Sequence, residues 1–177
     1  MRLGFDIDGV LYPWQEVAYI QAVDDHKDFG YSFEDFWRKG IDDTLPKLYM
    51  KNLVRNPLLL EIKIPNPELI EMLNRLASKW DIEYISSRPE ELFRVTSRYL
   101  RKYKFPEADT LILSDTIITD IRLANFDYYI EDRSDIANQL AKFTKVILVS
   151  RPYNKGDLLD NSIIRIDNIL DLERILI

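Results

Sequence analysis

Residues 1–13 read MRLGFDIDGVLYP. The run Leu3–Ile7 has the length and apolar character of a buried strand, yet it carries Asp6 and is followed at once by Asp8 and Gly9. Asp6 and Asp8 are two residues apart, so in an extended chain their side chains leave the same face. Carboxylates that close repel one another unless a cation or a proton intervenes. Gly9 lets the backbone turn sharply away from the strand direction. The opening stretch therefore reads as a core strand whose end is given over to charge.

Outward from this stretch, further apolar runs read as strands: Ile82–Ser86, Thr110–Ser114, Tyr128–Glu131, Val146–Val149 and, more weakly, Ile163–Ile166. Runs this continuous suit parallel strands covered on both faces. Helical patterns lie between most of them. Pro67–Lys79 has apolar residues at Leu69, Ile70, Met72, Leu73 and Leu76, with Asn66 as N-cap and Pro67 at the first helical position. Pro89–Lys102 and Ser134–Phe143 are similar. The alternation predicts an α/β fold, a doubly wound, Rossmann-like parallel sheet with helices on both faces.

Residues 12–65 break the alternation. Only Leu58–Ile64 offers a further strand there, and aromatics are frequent. A capped short helix is expected from Ser32, with Glu34 and Arg38 as an i,i+4 pair. The segment is too long for an ordinary strand-to-helix connection. It reads as a small helical cap inserted after strand 1, so that 1–11 and 66–177 form the core domain.

Composition bounds the function. The chain has 177 residues, 46% hydrophobic and 31% charged, which suits one globular domain with a small insertion. Its net charge of −6 disfavours extended nucleic acid, whose non-specific binding depends on neutralising phosphates. The basic residues Arg94, Arg98, Arg101, Lys102 and Lys104 read as the solvated face of a helix. No apolar run reaches the ~18 residues of a membrane span, and the N-terminus resembles neither signal nor transit peptide. With no cysteine, thiolate metal sites and cysteine nucleophiles are excluded, and a cytoplasmic home is expected. The oligomeric state is open.

In a doubly wound sheet, ligands bind beyond the carboxyl ends of the strands. Strand 1 ends in Asp6 and Asp8, the strand at Ile82 in Ser86, Ser87 and Arg88, and the strand at Tyr128 in Glu131 and Asp132. Asp6, Asp8 and Asp132 make an all-oxygen set, which suits Mg²⁺. Ser86 and Ser87 either cap the helix near Pro89 or belong to an anion site at its N-terminus. Asp135 reads as an acid favoured by the dipole of a helix's first turn.

Three segments together resemble the haloacid dehalogenase-like superfamily of phosphohydrolases: FDIDGVL from residue 5, IEYISSRPE from residue 82 and YYIEDRSD from residue 128. VILVSRPYNKGD, from residue 146, resembles more loosely the deoxyribonucleotidase-like branch. The resemblance implies Asp6 as the nucleophile that forms an aspartyl-phosphate, and Asp8 as the acid and base that also binds metal through its backbone carbonyl. It implies Ser86, the Ser87 N–H and Arg88 at the phosphoryl group, and Asp132 as a ligand to Mg²⁺. Glu131 would bind metal through water or hold a basic residue. The superfamily's third motif, a Lys or Arg, falls near Thr116–Thr119, where no basic residue stands; Arg122 and Lys104 are the candidates to replace it.

The expected substrate is a small phosphorylated molecule, a nucleoside 5′-monophosphate in the branch it resembles. Phe36 and Trp37 either stack on a base or form the cap's own core. His26 is read as an exposed cap residue. The alternatives are a phosphatase for another small phosphoester or for a nucleic-acid 3′-phosphate end, and a non-catalytic nucleotide- or phosphoprotein-binding module.

Overall fold

The computed structural model describes residues 1–25, 51–61, 63–108, 110–114 and 116–177. The strands are β1 (Arg2–Phe5), β2 (Asp81–Ser86), β3 (Leu111–Leu113), β4 (Tyr128–Glu131), β5 (Lys145–Val149) and β6 (Ile164–Ile166). The described α-helices with defined ends are α1 (Trp14–Asp25), α2 (Pro67–Ala77), α3 (Phe93–Lys102), α4 (Ile117–Ala124), α5 (Ser134–Leu140) and α6 (Leu172–Leu176). Every pairing in the six-stranded sheet is parallel, in the order β3-β2-β1-β4-β5-β6. The chain lays β2 and β3 to one side of β1, then crosses to the other side for β4, β5 and β6. That reversal leaves a crevice between the carboxyl ends of β1 and β4, where such folds bind ligands.

Alternation along the strands builds two cores. Leu3, Phe5, Ile82, Tyr84, Ile130, Ile147 and Val149 point to one face, where Leu69, Met72, Leu73 and Leu76 of α2, Val95, Tyr99 and Leu100 of α3, and Leu172 of α6 cover them. Ile85, Tyr129, Val146 and Leu148 point to the other, under Ile121 of α4 and Ile136, Ala137 and Leu140 of α5. Both faces are therefore helix-covered, as the apolar strand runs predict. The α2 start is the expected one: the Asn66 side chain accepts from the Glu68 N–H at 3.0 Å, with Pro67 in the first turn.

Two local readings change. The described residues of 58–64 form no strand; Pro57–Glu61 forms a 3₁₀ turn whose Leu60 is buried in the first core. The helix expected from Pro89 begins instead as a 3₁₀ turn, Glu90–Leu92, because Pro89 is extended (φ −55°, ψ 143°), and becomes α-helical at Phe93. Both described ends of the 12–65 segment pack into the first core, through Tyr12, Val17 and Ala18 on one side and Leu53 and Leu60 on the other. The helix expected from Ser32, the Glu34–Arg38 pair, His26, Phe36 and Trp37 lie outside the described residues.

Gly4 shows how closely the sheet centre is packed. A Cβ there would lie 2.5 Å from Tyr129 Cδ2 and 2.9 Å from the Phe126 ring. Both rings belong to the second core. Gly4→Ala is expected to cost about 1–3 kcal/mol by overpacking, read by denaturant unfolding; an unchanged midpoint would show that the two rings yield freely.

Candidate active site

Register brings the acids together. Phe5 pairs with Ile130 on one side and Tyr84 on the other, and the Asp6 N–H continues the ladder to the Ile130 carbonyl at 3.0 Å. Asp6 thus stands level with Glu131, and Ser86 ends the neighbouring strand. Asp6, Glu131 and Asp132 each offer a carboxylate oxygen within 4.8 Å of the others, and all three are buried. Burial, followed by the charges of Glu131, Asp132 and Asp8, pushes the Asp6 carboxyl well above its ordinary range. Burial and then Asp132 push Glu131 up as well, against the Arg133 and Asp132 backbone N–H groups that its Oε1 accepts at 3.0 and 2.9 Å. Burial raises Asp132 too, partly offset by hydrogen bonds from its neighbours and by the Arg151 charge.

Asp132 is held from three directions. Its Oδ2 accepts from the Tyr153 hydroxyl and from Gln15 Nε2 at 3.3 Å, and Gln15 Nε2 lies 2.5 Å from the Tyr153 oxygen. Its backbone carbonyl accepts from Asn154 Nδ2 at 2.6 Å. Its Oδ1 is buried with no hydrogen-bond partner among the described residues. A buried orphan acceptor beside two other buried acids fits a hard cation with oxygen ligands. Gly9 makes room for this: at φ +90°, a Cβ would lie 1.9 Å from Asp132 Oδ2. The Gly9 carbonyl in turn accepts from Arg151 Nε at 2.7 Å.

Asp8 takes a different partner from Asp6. β1 stops at Phe5, and the chain then turns, with Leu11 N–H on the Ile7 carbonyl at 2.9 Å and Gly9 N–H on the Tyr12 carbonyl at 2.8 Å. The carboxylate of Asp8 is gripped by Arg88 in a two-pronged pair, Nε to Oδ2 at 2.6 Å and Nη2 to Oδ1 at 2.7 Å. Ser86 Oγ also reaches Asp8 Oδ2, at 3.4 Å. Arg88 is wholly buried, its Nη1 on Thr96 Oγ1 at 3.0 Å and its guanidinium carbon 5.3 Å from the centre of the Tyr12 ring.

The remaining expected residues fall as follows. Ser87 is exposed beside this pair. Neither serine caps a helix: the 3₁₀ turn and α3 begin without a side-chain cap. Asp135 is exposed and pairs with Arg133 at 2.7 Å, apart from the acid cluster. Arg122 is exposed in the last turn of α4. Lys104 is exposed just past α3, in the loop that leads to the amino end of β3. Both helices run back from the carboxyl edge, so both residues lie toward the edge opposite the site. Arg88 is the buried guanidinium among the described site residues. Gln15, Thr96, Arg151, Tyr153 and Asn154 join the site only through the fold. Of these, Tyr153 and Asn154 had a sequence signal, the PYN segment.

The sheet order, with acids at its switch point, gives the chain the fold of the haloacid dehalogenases. No family model matches the chain. In sequence it is 24% identical over 179 aligned residues to "Putative nucleotidase OB0422" of Oceanobacillus iheyensis, across 88% of this chain and 90% of that one. It is 33% identical to a nucleotidase of Clostridium acetobutylicum over 94 residues, 52% of this chain and 49% of the other. In fold it is similar to the L-2-haloacid dehalogenase of Xanthobacter autotrophicus with chloropropionic acid covalently bound, at a TM-score of 0.61 and 12% identity over 98% of this chain and 97% of that one.

Two outcomes test the site. Acids with raised native values keep protons that the unfolded chain has lost, so their stabilising contribution is present below the ordinary carboxylate range and disappears as pH rises through the raised values. In chelator, melting temperature is expected to fall as pH rises above the ordinary carboxylate range, and less steeply in Asp6→Asn; identical slopes would contradict the crowding. Tyr153→Phe is expected to weaken Mg²⁺ binding by roughly tenfold, the usual cost of losing an outer partner of a ligand, measured calorimetrically.

Proposed function

We propose that the protein is a Mg²⁺-dependent phosphomonoesterase that works through an aspartyl-phosphate on Asp6, and that its substrate is a nucleoside monophosphate. The observation that carries this reading is the pairing of opposite needs on neighbouring strand ends. Asp6, Glu131 and Asp132 form a buried acid cluster, while Arg88 and Ser86 present donors beside it. A phosphate ester with a divalent cation satisfies both. The nucleotidase names of the sequence relatives support the substrate class, and residues 12–65 would act as the cap that selects the leaving group.

Asp6, Glu131 and Asp132 would hold the cation, with Asp8 contributing through its backbone carbonyl. Bound Mg²⁺ would supply the positive charge that keeps Asp6 ionised and offsets the phosphoryl charge. An Asp6 oxygen attacks phosphorus, the bond from phosphorus to the leaving oxygen breaks, and Asp8 gives that oxygen a proton. Water then attacks phosphorus, giving a proton to Asp8, and the bond from phosphorus to the Asp6 oxygen breaks, freeing phosphate and the Asp6 carboxylate. Ser86, the Ser87 N–H and Arg88 stabilise the oxygens of the group in transfer. Arg88 would also serve where the third-motif base is missing.

The test is phosphate release from deoxy- and ribonucleoside monophosphates and sugar phosphates. Release is expected with Mg²⁺, strongest on deoxynucleotides, abolished by chelator, and at background in Asp6→Asn. A folded, Mg²⁺-binding protein that releases phosphate from no substrate overturns the enzyme reading.

A further inference from the structure

Each side chain assigned to the phosphoryl group is engaged with Asp8. The two prongs of Arg88 and the hydroxyl of Ser86 converge on one carboxylate, at 2.6, 2.7 and 3.4 Å. The Nε and Nη2 edge of a guanidinium matches two oxygens of a carboxylate or of a phosphate in the same way. One edge cannot serve both at once. The other side of the guanidinium is committed to Thr96 Oγ1 and lies against the Tyr12 ring. Arg88 is wholly buried, whereas the Asp8 side chain keeps a tenth of its surface exposed, so Asp8 is the member of the pair that meets solvent.

We propose that the Asp8 carboxylate occupies the phosphoryl subsite in the free protein, and that an incoming phosphoryl group takes its place on Arg88 and Ser86. This rests on the phosphomonoesterase reading and adds a consequence to it. Breaking a buried ion pair is costly, so exchange of Asp8 for another anion of matching shape is favoured over simple loss of Asp8. Phosphoryl binding and the release of Asp8 are then one event. The released carboxylate can take the proton of the incoming phosphate ester's monoanion and turn with it toward the leaving oxygen. Asp8 thus reaches its working position only when a substrate is seated.

The proposal is tested by binding of inorganic phosphate with Mg²⁺ present, which needs no turnover. Calorimetry would compare the natural protein, Asp8→Ala, Arg88→Lys and the double variant. Asp8→Ala vacates the subsite and is expected to tighten phosphate binding by about tenfold with Arg88 present, and by several-fold less in the Arg88→Lys background, a coupling of the size seen between contacting residues. An equal gain in both backgrounds would mean that only general charge repulsion was relieved, and overturns the exchange while leaving the phosphatase reading intact. Absence of phosphate binding in every folded variant overturns both. If Arg88→Lys does not fold, Ser86→Ala takes its place in the cycle. As a direct readout in the natural protein, the Arg88 Nε–H resonance is expected to shift on adding phosphate and in Asp8→Ala. A resonance indifferent to phosphate, with phosphate bound, overturns the exchange.

Discussion

Asp6, Glu131 and Asp132 are held within 4.8 Å of one another, out of water and against their mutual repulsion. Nothing in the carboxylates themselves favours that arrangement. It persists because β1 and β4 are neighbours in the sheet, with Phe5 opposite Ile130. Both strands are buried from two sides, so neither can slide to relieve the charge without moving apolar residues between core and solvent. The Asp6 N–H bond to Ile130 fixes the first acid, and two backbone N–H groups fix Glu131. Stability in the two cores is thus applied to keep three acids where they would not stay alone, a common arrangement at sites that handle charge.

The other half of the site inverts this pattern. Arg88 is a cation in an apolar setting, lodged between Thr96 and the Tyr12 ring, and it too depends on a partner of opposite sign. Asp8 is that partner, although it leaves the same turn that follows β1. The site therefore has a negative pole on β1 and β4 and a positive pole on β2, with Asp8 belonging to the positive one. Such polarity suits the proposed ligand, an anionic group with a bound cation.

Much of this was legible in the residues. Near-continuous apolar runs gave the parallel strands, since strands buried on both faces need no polar alternation. Acids at two strand ends, with serine and arginine at a third, pointed to one edge of the sheet, and the fold brings them together there. The misreadings came where local rules met tertiary ones. The same-face rule for Asp6 and Asp8 holds only for extended chain, and β1 ends at Phe5, so the pair divides between two partners. Glu131 was less prominent in sequence than Asp8 as a metal ligand, because strand register, which sets it beside Asp6, is not written in either segment alone. Gln15 gave no signal: a polar residue in the first turn of α1 looks like any solvated position, and only the path of the chain brings it to Asp132. Leu58–Ile64 was apolar enough for a strand, but Pro57 opens a 3₁₀ turn there.

The segment after β5 reaches back across the molecule. Arg151 holds the Gly9 carbonyl, Tyr153 the Asp132 carboxylate and Asn154 the Asp132 backbone. During synthesis on the ribosome, both acid-bearing strands emerge well before these three residues. A nascent chain halted short of Asn154 would display its carboxylates without the grip that orders them. Ordering of Asp132 thereby depends on chain made after β5 as well as on the two strands that carry the acids.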